Sequence, residues 1–66
     1  MKIRDFNTSM EIIVSALKEK GYNPYDQIYG YLHTGNPIYI TQHKNARTII
    51  QALDKLKIRQ YIEQMR

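Results

Sequence analysis

Residues 23–35 read Asn-Pro-Tyr-Asp-Gln-Ile-Tyr-Gly-Tyr-Leu-His-Thr-Gly, and they carry the clearest secondary-structure signals in the chain. Asn23 is a good helix N-cap, and Pro24 at the first helical position loses no hydrogen bond that a helix needs. Gly35 is a residue type that commonly ends helices. The helical period places four apolar side chains of this stretch on one face: Tyr25, Ile28, Tyr29 and Leu32. The segment therefore predicts an amphipathic α-helix with both ends marked.

An earlier helix is predicted upstream of this stretch. Thr8 and Glu11 have the spacing of a capping box, in which each side chain accepts a hydrogen bond from the other residue's backbone amide. One apolar face follows, made of Ile12, Ile13, Ala16 and Leu17. Lys20 suits the C-terminal end of a helix, and Gly21 supplies the left-handed residue that stops it.

The C-terminal half contains two more apolar stripes after a connector, residues 36–40, that is either extended or a single helical turn. Thr41 is predicted to cap a third helix. The stripes are Ala46, Ile49, Ile50 and Leu53, then Ile58, Tyr61, Ile62 and Met65. At 100° per residue, Ile58 would lie about 140° from Leu53 on a continuous helix. Either Asp54 caps a new helix or one long helix presents two faces; the loss of phase favours the break.

The chain has 66 residues and no cysteine. We expect one all-α domain over residues 1–66, a compact bundle of three to four short helices, with residues 1–7 as a mobile N-terminal segment. A domain this small buries only about 60% of its unfolded surface, and disulfides are excluded. Self-association is the remaining support, so a homodimer is predicted. The charged N-terminus and short apolar runs predict a soluble cytoplasmic protein without membrane insertion.

No constellation of residues predicts catalysis, a metal or a cofactor. His33 and His43 are the only histidines, and their spacing matches no helix-face metal motif. Ser9, His43 and Asp54 offer the residue types of a hydrolytic triad, but nothing marks a nucleophile. We therefore expect a protein that is not an enzyme.

Tyrosine is concentrated between residues 22 and 39, which hold five of the six tyrosines. Tyrosine fills cores and is also enriched at protein interfaces. One small core can hardly satisfy every hydroxyl, so some of these rings are expected at a contact surface. The candidates are Tyr25, Tyr29, Tyr31 and Tyr39. Gly30 inside the predicted helix costs about 1 kcal/mol against Ala, which a close helix–helix or chain–chain contact would explain.

Nucleic-acid binding is the alternative function, because the net charge is +4. A basic surface could be formed by Lys44, Arg47, Lys55, Lys57 and Arg59. The connector from Gly35 to Thr41 is longer than the turn of a helix-turn-helix motif, however. A solvated helix face explains these charges equally well, so a protein partner is the first hypothesis.

The segment from Leu17 to Ile50 resembles the signature of the IreB family of small regulatory proteins from Gram-positive bacteria. The residues that carry the resemblance are Gly21, Tyr22, Asn23, Pro24, Gln27, Gly30, Tyr31, Gly35, Pro37, Tyr39, His43, Asn45, Ala46 and Arg47. The resemblance implies a helical, dimeric, cytoplasmic phosphoprotein. It also implies that a membrane Ser/Thr kinase, with its phosphatase, controls the protein in cell-wall stress or antibiotic-resistance signalling.

Two departures from the family pattern affect what can be carried over. The family's phosphorylated threonines lie in a longer N-terminal tail, whereas residues 1–7 contain no threonine. Thr8 and Ser9 are therefore phosphorylation candidates by location only, with a plain helix cap as the simpler role of Thr8. The segment Asp54-Lys55-Leu56-Lys57-Ile58 is also more basic than its acidic counterpart in the family.

Overall fold

The computed structural model describes residues 5–65, and over this range the chain contains helices and no strand. The α-helices are α1 (Phe6–Glu19), α2 (Pro24–Thr34), α3 (Ala46–Gln51) and α4 (Lys55–Glu63). Two 3₁₀ turns, Pro37–Tyr39 and His43–Asn45, lie between α2 and α3. The predicted all-α class is confirmed. The predicted mobile segment lies largely outside the described residues, and Phe6 and Asn7 belong to α1.

Helix α1 begins three residues earlier than the capping box predicted. Asp5 is the N-cap, and its Oδ1 accepts a 2.7 Å hydrogen bond from the Thr8 amide. Thr8 is therefore a first-turn residue, and its predicted role as the cap was wrong. A carboxylate accepts this hydrogen bond well and also interacts favourably with the positive end of the helix dipole. The predicted stop is confirmed, since Gly21 has a left-handed φ of 86°.

Helix α2 has the bounds that its sequence predicts. Asn23 Oδ1 accepts from the Asp26 amide at 3.1 Å, and Pro24 occupies the first turn. Gly35 ends the helix with φ 74°, and its amide donates to the Tyr31 carbonyl at 2.7 Å. All of these signals are local in sequence, which is why pattern reading found them.

The third helix starts later than predicted. The connector forms a 3₁₀ turn at Pro37–Tyr39, one of the two alternatives left open. Thr41 does not cap α3; its Oγ1 accepts from the His43 amide at 3.2 Å and stabilises the second 3₁₀ turn. Lys44 and Asn45 then adopt left-handed backbone, which delays the start of α3 to Ala46.

The break near Asp54 is confirmed. Asp54 has extended backbone and its Oδ1 accepts from the Leu56 amide at 2.8 Å and from the Lys57 amide at 3.4 Å. A new helix with its own N-cap lets Ile58 and Ile62 reach the core despite the change of phase. Residues 46–63 are accordingly two helices and not one long helix presenting two faces.

The core lies between two pairs of helices, α1 packed on α3 and α2 packed on α4. Tyr31 is 3% exposed and fills the core beside aliphatic side chains. Its other members are Met10, Ile13, Ala16, Leu17, Ile28, Ile40, Ala46, Ile50, Ile58 and Ile62. None of the helices within residues 5–65 combines the length and apolar character needed to cross a membrane.

Candidate functional site

The segment between α2 and α3 is fastened to α2 by two contacts that involve Tyr39. Gln27 Nε2 donates a 2.8 Å hydrogen bond to the Tyr39 carbonyl. The Tyr39 ring lies against Gly30, where a β-carbon would be 2.8 Å from Tyr39 Cδ1. The close contact predicted for Gly30 therefore exists, but the connector supplies it, rather than a second helix or a second chain. Gly30 is needed because no larger residue leaves room for the ring.

A second contact joins the 3₁₀ turn His43–Asn45 to the C-terminal end of α1. The Glu19 carboxylate makes two hydrogen bonds of 2.7 Å each: Oε1 bonds with His43 Nε2, and Oε2 accepts from Lys44 Nζ. These hydrogen bonds lower the pKa of Glu19 to about 2, and the one from Lys44 has the larger effect. Both contacts span more than twenty residues of sequence. Sequence reading missed them, because no local spacing relates Glu19 to the 3₁₀ turn.

The remaining signature residues of this region are also explained by backbone geometry. Arg47 Nε donates to the Ile40 carbonyl at 2.9 Å, which ties the connector to α3. Asn45 has φ 62°, and asparagine tolerates left-handed backbone better than most residues. Ala46 is fully buried. The part of the signature from Gly35 to Arg47 thus fixes the path of the chain between α2 and α3.

An aromatic ladder runs along the flank of α2 that faces α4, and we define it as Tyr25, Tyr29 and His33. The Tyr25 and Tyr29 ring centroids are 6.0 Å apart with 20° between planes, and those of Tyr29 and His33 are 5.9 Å apart with 12°. Tyr29 is 52% exposed. Arg59 of α4 lines the shallow depressions on both sides of Tyr29.

The candidate interface tyrosines do not form one surface. Tyr31 is buried in the core of this chain, so its predicted place on an exposed surface was wrong. Tyr25 and Tyr29 belong to the ladder, while Tyr39 covers Gly30, which is about 100° further round α2 than Tyr29. Ile38 beside Tyr39 is 70% exposed and was not predicted as a surface residue.

The two phosphorylation candidates differ sharply in accessibility. Thr8 is exposed, whereas Ser9 is 4% exposed and buried between helices. The Thr8 amide donates to Asp5, and this hydrogen bond lowers the pKa of the Asp5 carboxyl. A phosphate on Thr8 would therefore lie close to the Asp5 carboxylate, which already caps the start of α1.

The basic residues of the nucleic-acid hypothesis are separated and mostly engaged. Lys44 pairs with Glu19, Arg47 is bonded to the Ile40 carbonyl, and Arg59 lies 3.5 Å from Glu63. Lys55 Nζ lies 5.6 Å from the Tyr31 ring centroid. Lys57 lines a depression with Phe6 and Tyr61, and none of the other four basic residues lines it. These contacts do not assemble the five side chains into one phosphate-binding stripe.

Comparison with known proteins identifies a family and individual relatives of this chain. The family model described as IreB regulatory phosphoprotein matches residues 1–65, so the predicted resemblance is confirmed and extends beyond residues 17–50. A UPF0297 protein of Ruminiclostridium cellulolyticum is 54% identical over 52 residues, covering 74% of this chain and 59% of that protein. A UPF0297 protein of Lachnoclostridium phytofermentans is 49% identical over 49 residues, covering 74% and 56% respectively. The chain thus matches less than two thirds of the length of these relatives.

Proposed function

This chain belongs to the IreB family, and from that premise we propose that it is a regulatory phosphoprotein that acts through protein contacts rather than catalysis. The single observation that carries the proposal is the family match over residues 1–65. The structure adds a physical reason: the signature residues hold a particular connector conformation and expose side chains typical of interfaces. A protein that presents a surface needs this kind of rigidity.

We place the regulatory phosphate on Thr8, and propose a membrane Ser/Thr kinase and its phosphatase as the enzymes that add and remove it during cell-wall stress. Thr8 is exposed and Ser9 is not. A phosphate brings close to two negative charges, and Asp5 already accepts from the Thr8 amide. Repulsion between the phosphate and Asp5 would weaken that cap and alter the start of α1.

The test is the intact mass of the protein after incubation with the kinase and ATP, followed by fragmentation to locate the site. Thr8→Val should abolish the added phosphoryl group. Thr48→Val, which removes an exposed threonine of α3, should leave it in place. Phosphorylation that persists in Thr8→Val would refute the assignment to Thr8, and no phosphorylation of the wild type would refute the kinase-substrate role.

We also propose that the protein works as a homodimer, with Ile38 and Tyr39 at the centre of the contact. Ile38 is 70% exposed and Tyr39 is 38% exposed, and both lie on a connector held by Gln27 and Gly30. Burying a large aliphatic side chain contributes roughly 1.5–3 kcal/mol. An exposed isoleucine on a rigid turn is therefore a suitable anchor.

Sedimentation equilibrium tests the dimer. Ile38→Asp should raise the dimer dissociation constant at least about tenfold, because the loss of one buried aliphatic anchor is comparable to 1.4 kcal/mol. Leu56→Asp is the matched control, since Leu56 is 65% exposed on α4. A wild-type protein that is monomeric at all concentrations would contradict the dimer, and equal effects of both variants would contradict this interface.

A further inference from the structure

The flank of α2 that faces α4 offers a depression with an unusual set of lining residues. It is bounded by Tyr29, Leu32, His33 and Arg59. Leu32 is half-buried and provides an apolar floor, while Tyr29 and Arg59 stand exposed at the edges. No aspartate or glutamate lines this depression among the described residues, although Glu63 lies in the neighbouring one.

The chemistry of this depression matches one kind of group. Arg59 provides a guanidinium whose planar fork binds carboxylates, and its side chain is 69% exposed. Its ion-pair partner is Glu63, whose Oε2 lies 3.5 Å from Arg59 Nε, and an exposed pair of this kind is weak. The Tyr29 and His33 rings, stacked with their centroids 5.9 Å apart, also line the depression and offer ring carbon to the aliphatic part of a ligand.

We propose that this depression is a docking site for an acidic, leucine-rich segment of a partner protein, with a glutamate or aspartate carboxylate placed on Arg59. The inference rests on the proposed function, because it assumes that the protein acts through protein contacts. Tyrosine and arginine are the residue types that most often dominate binding energy at interfaces, and here they are adjacent. The surface is distinct from the Ile38–Tyr39 contact, which lies on another flank of α2.

Charge and shape favour an acidic peptide over nucleic acid at this site. Nucleic acid binds through several phosphates at once and needs a row of cations. Among the described residues that line this depression, Arg59 is the one lysine or arginine, so a continuous phosphate backbone would find a single such partner here. A single carboxylate next to aliphatic carbon fits both Arg59 and the Leu32 floor.

The experiment is a titration of the ¹⁵N-labelled 66-residue chain with a short capped peptide in which leucine alternates with glutamate. We expect amide shift changes centred on Tyr29, His33 and Arg59. Arg59→Gln should weaken binding about tenfold, the loss of one charge-assisted hydrogen bond. Lys57→Gln, a charge-matched change on the exposed face of the same helix, should change it less than about twofold.

Three results would overturn the docking site. One is equal binding of a peptide with glutamine in place of glutamate. Another is equal weakening in Arg59→Gln and Lys57→Gln. The third is a single-stranded oligonucleotide that shifts the same amides while the acidic peptide does not. The proposed function fails separately, through the Thr8 and dimer experiments, because neither of those measurements involves Arg59.

Discussion

The ring of Tyr39 lies so close to the α-carbon of Gly30 that a β-carbon at position 30 would be 2.8 Å from Tyr39 Cδ1 and 2.9 Å from Cε1. Real β-carbons do not come this near to ring atoms, so any larger residue must displace the ring. The Gln27 hydrogen bond to the Tyr39 carbonyl holds the backbone below that ring. Glycine lowers the helix propensity of α2 at this position, but it is the residue that leaves room for the ring.

Whether replacing Gly30 by alanine raises or lowers the free energy of unfolding should therefore depend on Tyr39. We expect Gly30→Ala to destabilise the wild-type protein, because ring displacement outweighs the gain of about 1 kcal/mol in helix propensity. In a Tyr39→Ala background the same change should stabilise by up to about 1 kcal/mol. Urea unfolding of the four proteins in this double-mutant cycle measures the reversal. Destabilisation by the same amount in both backgrounds would show that Tyr39 is not the cause.

The stability of the protein should depend on the ionisation of Glu19 in acid. Lys44 and His43 depress the folded-state pKa of Glu19 from 4.5 to about 2. Because the folded state binds this proton less readily, the contribution is complete above about pH 4.5 and is lost as pH falls toward 2. Glu19→Gln should lower the urea midpoint near neutral pH and differ little from wild type at about pH 2.

Glu11→Gln is the control for this measurement, since Glu11 is an exposed carboxylate of the same helix. Its midpoint should follow the wild-type curve across the acidic range. We expect a modest effect for Glu19→Gln, because exposed ion pairs are screened by solvent and salt. A Glu19→Gln curve parallel to wild type at every pH would contradict the role of the Glu19 contacts.

Because Asn45 has left-handed backbone, the free energy of unfolding should fall when asparagine is replaced by a residue that has a β-carbon but no side-chain amide. Asn45 has φ 62°, which costs an ordinary residue about 1 kcal/mol or more. We expect Asn45→Ala to destabilise by about 1 kcal/mol and Asn45→Gly to stay within about 0.5 kcal/mol. Thermal unfolding distinguishes them, with Gln51→Ala on the exposed side of α3 as a neutral reference. Equal losses in the two Asn45 variants would point to a side-chain contact instead.

The start of α4 should depend on the oxygen of residue 54. Asp54 caps the Leu56 and Lys57 amides, so Asp54→Ala should cost about 1 kcal/mol. Asp54→Asn should recover most of this loss, because an amide oxygen can accept the same bonds. Hydrogen exchange at the amides of α4 locates the effect. Unchanged exchange in Asp54→Ala would mean that core packing of Ile58 and Ile62 alone sets the helix start.

Much of the fold follows from short-range patterns. The Asn23 cap and the Gly21 and Gly35 stops act within one turn, and the loss of phase before Ile58 predicts the break at Asp54. These signals succeed because each depends on backbone groups only a few residues away. Two predicted helix starts were wrong. Asp5 rather than Thr8 is the N-cap of α1, and the Thr41 hydroxyl caps a 3₁₀ turn rather than α3.

The helical class, most helix ends and the family signature follow from the chain alone, because hydrophobic period and capping chemistry are properties of nearby residues. How those residues act together depends on the packing of the helices. The tertiary structure buried Tyr31, placed Tyr39 over Gly30 and brought His43 and Lys44 to Glu19. Contacts of this kind depend on how helices pack and how a connector returns to them. No spacing in the chain encodes that distance, so the candidate surfaces emerged only from the packed molecule.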